Sequence, residues 1–168
     1  MISMKYFLPI LIIFCLCNCL QEPQLRTGLE GRKLPSFPIL LMDSVTKLNT
    51  DEIKPGDPFV LLYFEPECPY CRAEILDIIK HRSQPDAIKF YLVTDFNYPA
   101  VKRLMNEYRL KGNNQITIAL DYTRYLPQYF YITNIPFLAI YDKNKRLVRV
   151  FTGETDYHKL EEFCSKNL

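Results

Sequence analysis

The chain has 168 residues, 48% of them apolar, with five glycines, twelve prolines and a formal charge of only +2. That length and composition suit one domain with an ordinary core, and exclude low-complexity and collagen-like classes. Its 21 basic residues are scattered among 19 acidic ones and form no block, so no nucleic-acid partner is expected.

The N-terminus reads as an address rather than as part of the fold. Lys5 supplies a positive start, and an apolar run from Tyr6 to Leu16 follows, interrupted by Pro9. It falls short of the roughly 20 apolar residues of a membrane-spanning helix and has the form of a secretory signal. The next residues, Leu16-Cys17-Asn18-Cys19, resemble a bacterial lipobox, with Asn18 where a small residue is usual. The expectation is a signal and anchor over 1–19 with Cys19 lipidated, Cys17 or Cys15 being the other acceptors; an uncleaved signal anchor is the alternative. Residues 20–33 form a polar tether, and the domain is expected over 34–168. Either way it sits outside the cytoplasm on a membrane, where disulfides persist.

Along the domain, Phe37–Met42 reads as a short strand. Residues 48–58 are polar and end in the turn residues Pro55-Gly56-Asp57-Pro58. Phe59–Phe64 is six apolar residues in a row, the pattern of a strand buried on both faces. A helix is expected over Cys68–Arg82, with Ile75, Leu76, Ile78 and Ile79 facing the core. Ile88–Val93 reads as a second buried strand. Tyr98–Leu110 has helical spacing in Val101, Leu104, Met105 and Tyr108, with Gly112 as its stop. Ile116–Leu120 is a strand and Tyr122–Tyr131 a short helix or irregular turn. Pro136–Tyr141 and Arg146–Thr152 flank a polar turn and read as a hairpin. Asp156–Lys166 is the last helix, turning Leu160 and Phe163 inward. The alternation of elements followed by a hairpin gives an α/β sandwich with a mixed sheet.

The chemistry sits in Phe64-Glu65-Pro66-Glu67-Cys68-Pro69-Tyr70-Cys71-Arg72. A buried strand leads into a C-x-x-C that opens a helix. Residues i and i+3 share a helix face, within disulfide range. Unpaired N–H groups and the helix dipole at Cys68 favour a thiolate, the nucleophilic form, whereas Glu65 and Glu67 oppose it by charge. Pro69 suits the first helical position. Cys68 is therefore the expected nucleophile and Cys71, one turn deeper, the resolving cysteine. Tyr70 between them should be exposed, while Tyr63 and Phe64 belong to core packing. Zinc would need a second pair or nearby histidines, and His81 and His158 lack metal-like spacing. No metal and no cofactor beyond the dithiol is expected. Cys164 reads as a buried helix residue. Ile135-Pro136 opens a strand, where a cis bond is accessible only to proline.

From Leu34 onward these features resemble the thioredoxin superfamily, in particular its TlpA/ResA-like extracytoplasmic branch. The resemblance rests on Pro58–Phe64 running into Cys68-Pro69-Tyr70-Cys71-Arg72-Ala73-Glu74, and on Ile135–Asp142 followed by Gly153. It implies a three-layer sandwich: a mixed central sheet with helices on both faces and an inserted strand–helix unit, matching the 65 residues from Cys71 to Pro136. It further implies that a cis Pro136 faces the cysteines, that Ile135 pairs its backbone with a substrate peptide beside Tyr70, and that the activity is exchange on protein disulfides, with an upstream electron donor. The sequence departs from the family at Glu67, where an aromatic residue is frequent, and at Leu62, where minimal thioredoxin has a buried acid. Glu65 is then a candidate base for Cys71. A peroxiredoxin motif fails at Glu65 and Leu61, and the export signal does not fit a glutaredoxin despite the shared Cys-Pro-Tyr-Cys. The alternatives carried are a Cu(I)-binding or cytochrome-maturation dithiol and a passive interaction module.

Overall fold

The computed structural model describes residues 25–82 and 88–166. Cys15, Cys17 and Cys19, with the whole expected signal segment, lie outside the described residues. Among the described residues no helix is long and apolar enough to cross a membrane.

Seven strands form one mixed sheet in the order β2-β1-β5-β4-β3-β6-β7. They are β1 Pro38–Leu41, β2 Lys47–Asn49, β3 Phe59–Tyr63, β4 Lys89–Thr94, β5 Ile116–Leu120, β6 Phe137–Tyr141 and β7 Leu147–Thr152. The helices are α1 Pro69–His81, α2 Tyr98–Glu107, α3 Tyr125–Phe130 and α4 Tyr157–Ser165. Strands β3, β4 and β5 run parallel, and β6 returns antiparallel beside β3.

The continuous apolar runs resolve into two faces because successive strand side chains point opposite ways. Val60, Leu62 and Phe64 join Phe90, Leu92, Leu138 and Ile140 on one face; Phe59, Leu61 and Tyr63 join Val93, Phe137, Ala139 and Tyr141 on the other. The units β3-α1-β4 and β4-α2-β5 step across the sheet in the same direction. Right-handed crossovers therefore place α1 and α2 on the same face, where Cys71, Ile75, Ile78, Val101 and Leu104 join Leu160 of α4. Helix α3, through Leu126 and Phe130, covers the opposite face together with Leu34, Phe37 and Ile53. Helices thus lie on both faces, as the sandwich requires, and α2, β5 and α3 follow one another between β4 and Pro136. Each fully buried Leu, Ile, Val or Phe contributes about 1.5–3 kcal/mol of transfer free energy, set against the cost of ordering the chain.

Three local expectations need correction. Residues 47–49 form β2, a hairpin partner of β1, followed by a single 3-10 turn at Thr50–Glu52. Leu76 does not face the core but is 42% exposed, because 75 and 78 already define the buried stripe of α1. Helix α2 stops before Gly112: Arg109 takes a left-handed φ of 52°, and the Leu110 N–H bonds back to the Met105 carbonyl at 3.0 Å, closing the helix as a glycine would.

Candidate active site

Strand β3 ends at Tyr63, and the loop 64–68 carries the chain to α1. Cys68 is the N-cap of α1, with extended backbone and no side-chain capping bond, and a proline stands in the first turn. The Cys68 N–H bonds the Glu65 carbonyl at 3.2 Å, and its carbonyl accepts the Arg72 N–H at 3.0 Å. The loop is braced from outside: Arg72 donates to the Pro66 carbonyl at 3.3 Å and pairs with Glu107, and its guanidinium lies over the Tyr108 ring. Arg103 pairs with Glu67 at 3.4 Å. Both arginine contacts couple α2 or its end to the cysteine loop, and neither was legible from spacing alone.

Burial differentiates the two thiols. Cys68 is half-buried and Cys71 fully buried; both are free. Burial is the main cause that pushes the Cys71 thiol up to about 12; the Glu65 backbone N–H at its sulfur pulls the other way, while the hydrogen bond to the Cys68 sulfur and the charges of Cys68 and Glu65 raise it further. Glu65 therefore meets Cys71 through its main chain, and its exposed carboxylate disfavours the Cys71 thiolate. At pH 8 a thiol with a value near 12 is about one part in ten thousand ionised, and the thiolate is the reactive species. Alkylation of the reduced protein at pH 8 should accordingly modify Cys68 and leave Cys71 intact. Peptide mapping after a timed pulse of iodoacetamide checks this, and faster labelling of Cys71 would reverse the assigned roles.

Tyr70 is 64% exposed beside the pair. Tyr63 and Phe64 are core residues; the Tyr63 hydroxyl donates to Asp95 at 2.5 Å, and Asp95 holds Arg124 at 2.7 Å. Burial, then the Asp95 bond, moves the Tyr63 phenol upward. The Ile135–Pro136 peptide is cis, as the sequence led us to expect. Tyr63 lies in register with Phe137, so Pro136 enters the sheet at the edge where β3 releases the cysteine loop. Its carbonyl accepts the Gly153 N–H at 2.9 Å. Ile135 packs against both cores.

Glu74 was missed. It is 2% exposed, one turn beyond Cys71 on α1. Its Oε2 accepts the Thr155 N–H at 2.7 Å, while Oε1 has no partner. Burial raises its carboxyl to about 7; the Thr155 N–H counters this, and Asp77, Glu154 and Asp156 add to it. Glu74 thus ties the cysteine helix to the turn whose Gly153 holds Pro136. The signal was present in the 3.6-residue period, which puts 71, 74, 75 and 78 on one face. Cys164 is buried in α4, and burial raises its thiol to about 12, with Glu161 adding to it. Among the described residues no group of His, Cys, Asp or Glu is arranged to hold a metal.

No family model and no curated protein sequence matches the chain. Solved structures do. The MTB DsbF protein, in mixed oxidized and reduced forms, superimposes with a TM-score of 0.66 at 20% identity, over 86% of this chain and 99% of that one. A thiol:disulfide interchange protein of the thioredoxin family from Chlorobium tepidum TLS gives 0.65 at 22%, over 80% and 94%. The exposed lipoprotein thioredoxin Etrx1 of Streptococcus pneumoniae gives 0.62 at 16%, over 79% and 99%. With its seven-stranded mixed sheet and its helices on both faces, the chain has the thioredoxin-like α/β fold that these thiol–disulfide proteins share.

Proposed function

We propose that the protein is an extracytoplasmic thiol–disulfide oxidoreductase that acts on protein disulfides through Cys68 and Cys71. The observation that carries the reading is the unequal placement of two neighbouring thiols: one half-exposed at a helix N-terminus, the other wholly buried one turn in. The Cys68 thiolate attacks one sulfur of a substrate disulfide. An S–S bond to Cys68 forms and the other substrate sulfur leaves as a thiolate. Two of the influences holding the proton on Cys71, the hydrogen bond to the Cys68 sulfur and its charge, weaken once that sulfur is in a neutral mixed disulfide. Cys71 then loses its proton to solvent and attacks the Cys68 sulfur, releasing the second substrate thiol. The dithiol gives up two electrons and two protons, and the substrate disulfide becomes two thiols. A separate reduced dithiol must restore the pair, and the same steps in reverse would oxidise a substrate.

Support for action outside the cytoplasm comes from the signal-like N-terminus ending in Cys19 and from the fold shared with an exposed lipoprotein. Acylation at Cys19 predicts a mature chain that begins with a lipid-modified cysteine and partitions with membranes. Mass spectrometry of the N-terminal peptide checks it, and an unmodified terminus elsewhere would contradict it. The function itself is tested by mixing reduced protein with a disulfide-bonded protein substrate and counting thiols. One disulfide lost per Cys68–Cys71 disulfide formed is the expected stoichiometry; no exchange refutes the reading.

A further inference from the structure

Charges that are scattered along the sequence are sorted by the topology. Strands β3, β4 and β5 run parallel and release the stretches 64–68, 95–97 and 121–124 at one end of the sheet; the turn 153–156 after β7 lies at that same end. These stretches carry the acidic residues Glu65, Glu67, Asp95, Asp121, Glu154 and Asp156, and Arg124 is the one basic residue among them. Arg124 pairs with Asp95 and Arg103 reaches Glu67 from α2, while Arg72 is matched by Glu107. The dithiol end is therefore acidic.

The opposite end is basic. There the turn between β6 and β7 lies beside the segment that enters the domain: the Gly31 N–H bonds the Leu147 carbonyl at 2.7 Å, and the Leu34 N–H bonds the Lys145 carbonyl at 2.8 Å. Arg32, Lys33, Lys143, Lys145 and Arg146 become one patch. Lys33 stands opposite Arg146 across a bridge, and like charges so placed cost stability. Arg146 donates to the Gly31 carbonyl at 2.9 Å and Lys145 to the Asp51 carbonyl at 2.7 Å, so neither charge is cancelled by these bonds. Asp142 turns its carboxylate to the N–H groups of Asn144 and Arg146, and Glu30 turns its own to that of Thr27. Among the described residues none of the five cations forms an ion pair with a carboxylate. Folding alone gives no reason for this cluster.

We infer that this patch seats the domain on an anionic bilayer surface and turns the dithiol end away from it. The inference rests on the proposed membrane anchor at Cys19 and deepens it. Leu25, the first described residue, lies six positions after Cys19, and six residues of chain reach at most about 20 Å. Such a leash keeps the domain near the headgroups without choosing the face it shows them. Charge chooses it: an anionic surface attracts clustered Lys and Arg and repels carboxylates, over a Debye length of about 10 Å at 0.1 M salt. The five residues of β3 separate the two ends, a rise of about 16 Å. With the patch on the headgroups, the acidic rim and Cys68 face outward, open to protein substrates.

The test uses the protein produced with its own N-terminus and reconstituted into vesicles of phosphatidylcholine, either alone or with about one third phosphatidylglycerol. A brief pulse of a membrane-impermeant acetylating ester labels lysines. Mass spectrometry then gives the labelling of Lys33, Lys143 and Lys145 relative to Lys102, which is exposed on α2. Each ratio should fall at least about threefold in the anionic vesicles and recover in about 1 M salt. Arg32→Glu with Lys33→Glu reverses two exposed side chains and should abolish the fall at Lys143 and Lys145. Iodoacetamide labelling of Cys68 at the wild-type rate shows that this variant is folded; if it is not, Lys143→Glu read at Lys33 takes its place. Ratios equal in the two vesicles, or a fall that survives the charge reversal, would overturn the orientation alone, provided that the protein floats with both vesicles. Flotation with neither overturns the anchor and the orientation with it. Flotation with the anionic vesicles alone, with the ratios falling, removes the anchor and supports the patch.

Discussion

Cys68→Ser should abolish disulfide exchange, lowering the rate at least about a thousandfold, to the background of the buried thiols. Cys71→Ser should behave differently. It retains the attacking sulfur, so the first half of the reaction proceeds and stops at the mixed disulfide. The asymmetry follows from burial. Cys71 is fully enclosed and its thiol sits near 12, so it cannot replace Cys68 as an attacking thiolate at neutral pH. Cys164, also buried and also near 12, cannot either. The measurement is the initial rate of protein disulfide reduction for both variants, with gel analysis for covalent complexes. Exchange retained in Cys68→Ser, or complexes formed by Cys68→Ser but not by Cys71→Ser, would invert the roles.

The second large effect concerns stability and lies one turn further along α1. Glu74 ordinarily titrates at 4.5 and is raised to about 7 in the fold, first by burial. The folded chain therefore holds this proton more tightly than the unfolded chain. The stabilisation is complete below pH 4.5 and is lost as pH rises through 7. A shift of that size corresponds to about 3 kcal/mol. Glu74→Gln mimics the protonated form and removes the dependence. Between pH 5 and pH 8 the stability difference between variant and wild type should move by up to about 3 kcal/mol in favour of the variant. Urea unfolding at the two pH values measures it. Parallel pH profiles for the two proteins would show that Glu74 does not titrate in this window. The partnerless Oε1 makes the neutral form the better fit, since an ionised carboxylate with one unsatisfied buried oxygen is costly.

How much of this was legible depended on whether a residue's role is written in local periodicity. The run Phe59–Phe64 reads as a strand covered on both faces, and the C-x-x-C after it as the opening of the next helix. The hairpin of β6 and β7 and the proline that opens it were equally visible. Strand β2 was not, because one exposed and two half-buried residues at a sheet edge carry no pattern and gain their conformation from pairing with β1. The left-handed residues Arg109, Arg124 and Tyr131 were illegible because none is glycine or asparagine, the residues that signal this conformation. Arg72 and Arg103 read as surface charge, since their partners Glu107 and Glu67 are about 35 residues away in sequence. Glu74 was legible in principle, but its charge outweighed the helical period that places it inward.

The most direct test of the central claim is a trap. The Cys71→Ala protein, produced with its own N-terminus in a bacterial cell, should accumulate complexes with protein partners that dissolve on adding dithiothreitol. Mapping the cross-linked peptides by mass spectrometry should find the linkage at Cys68 in every complex. Linkage through Cys164, or the absence of any thiol-labile complex, would contradict the account.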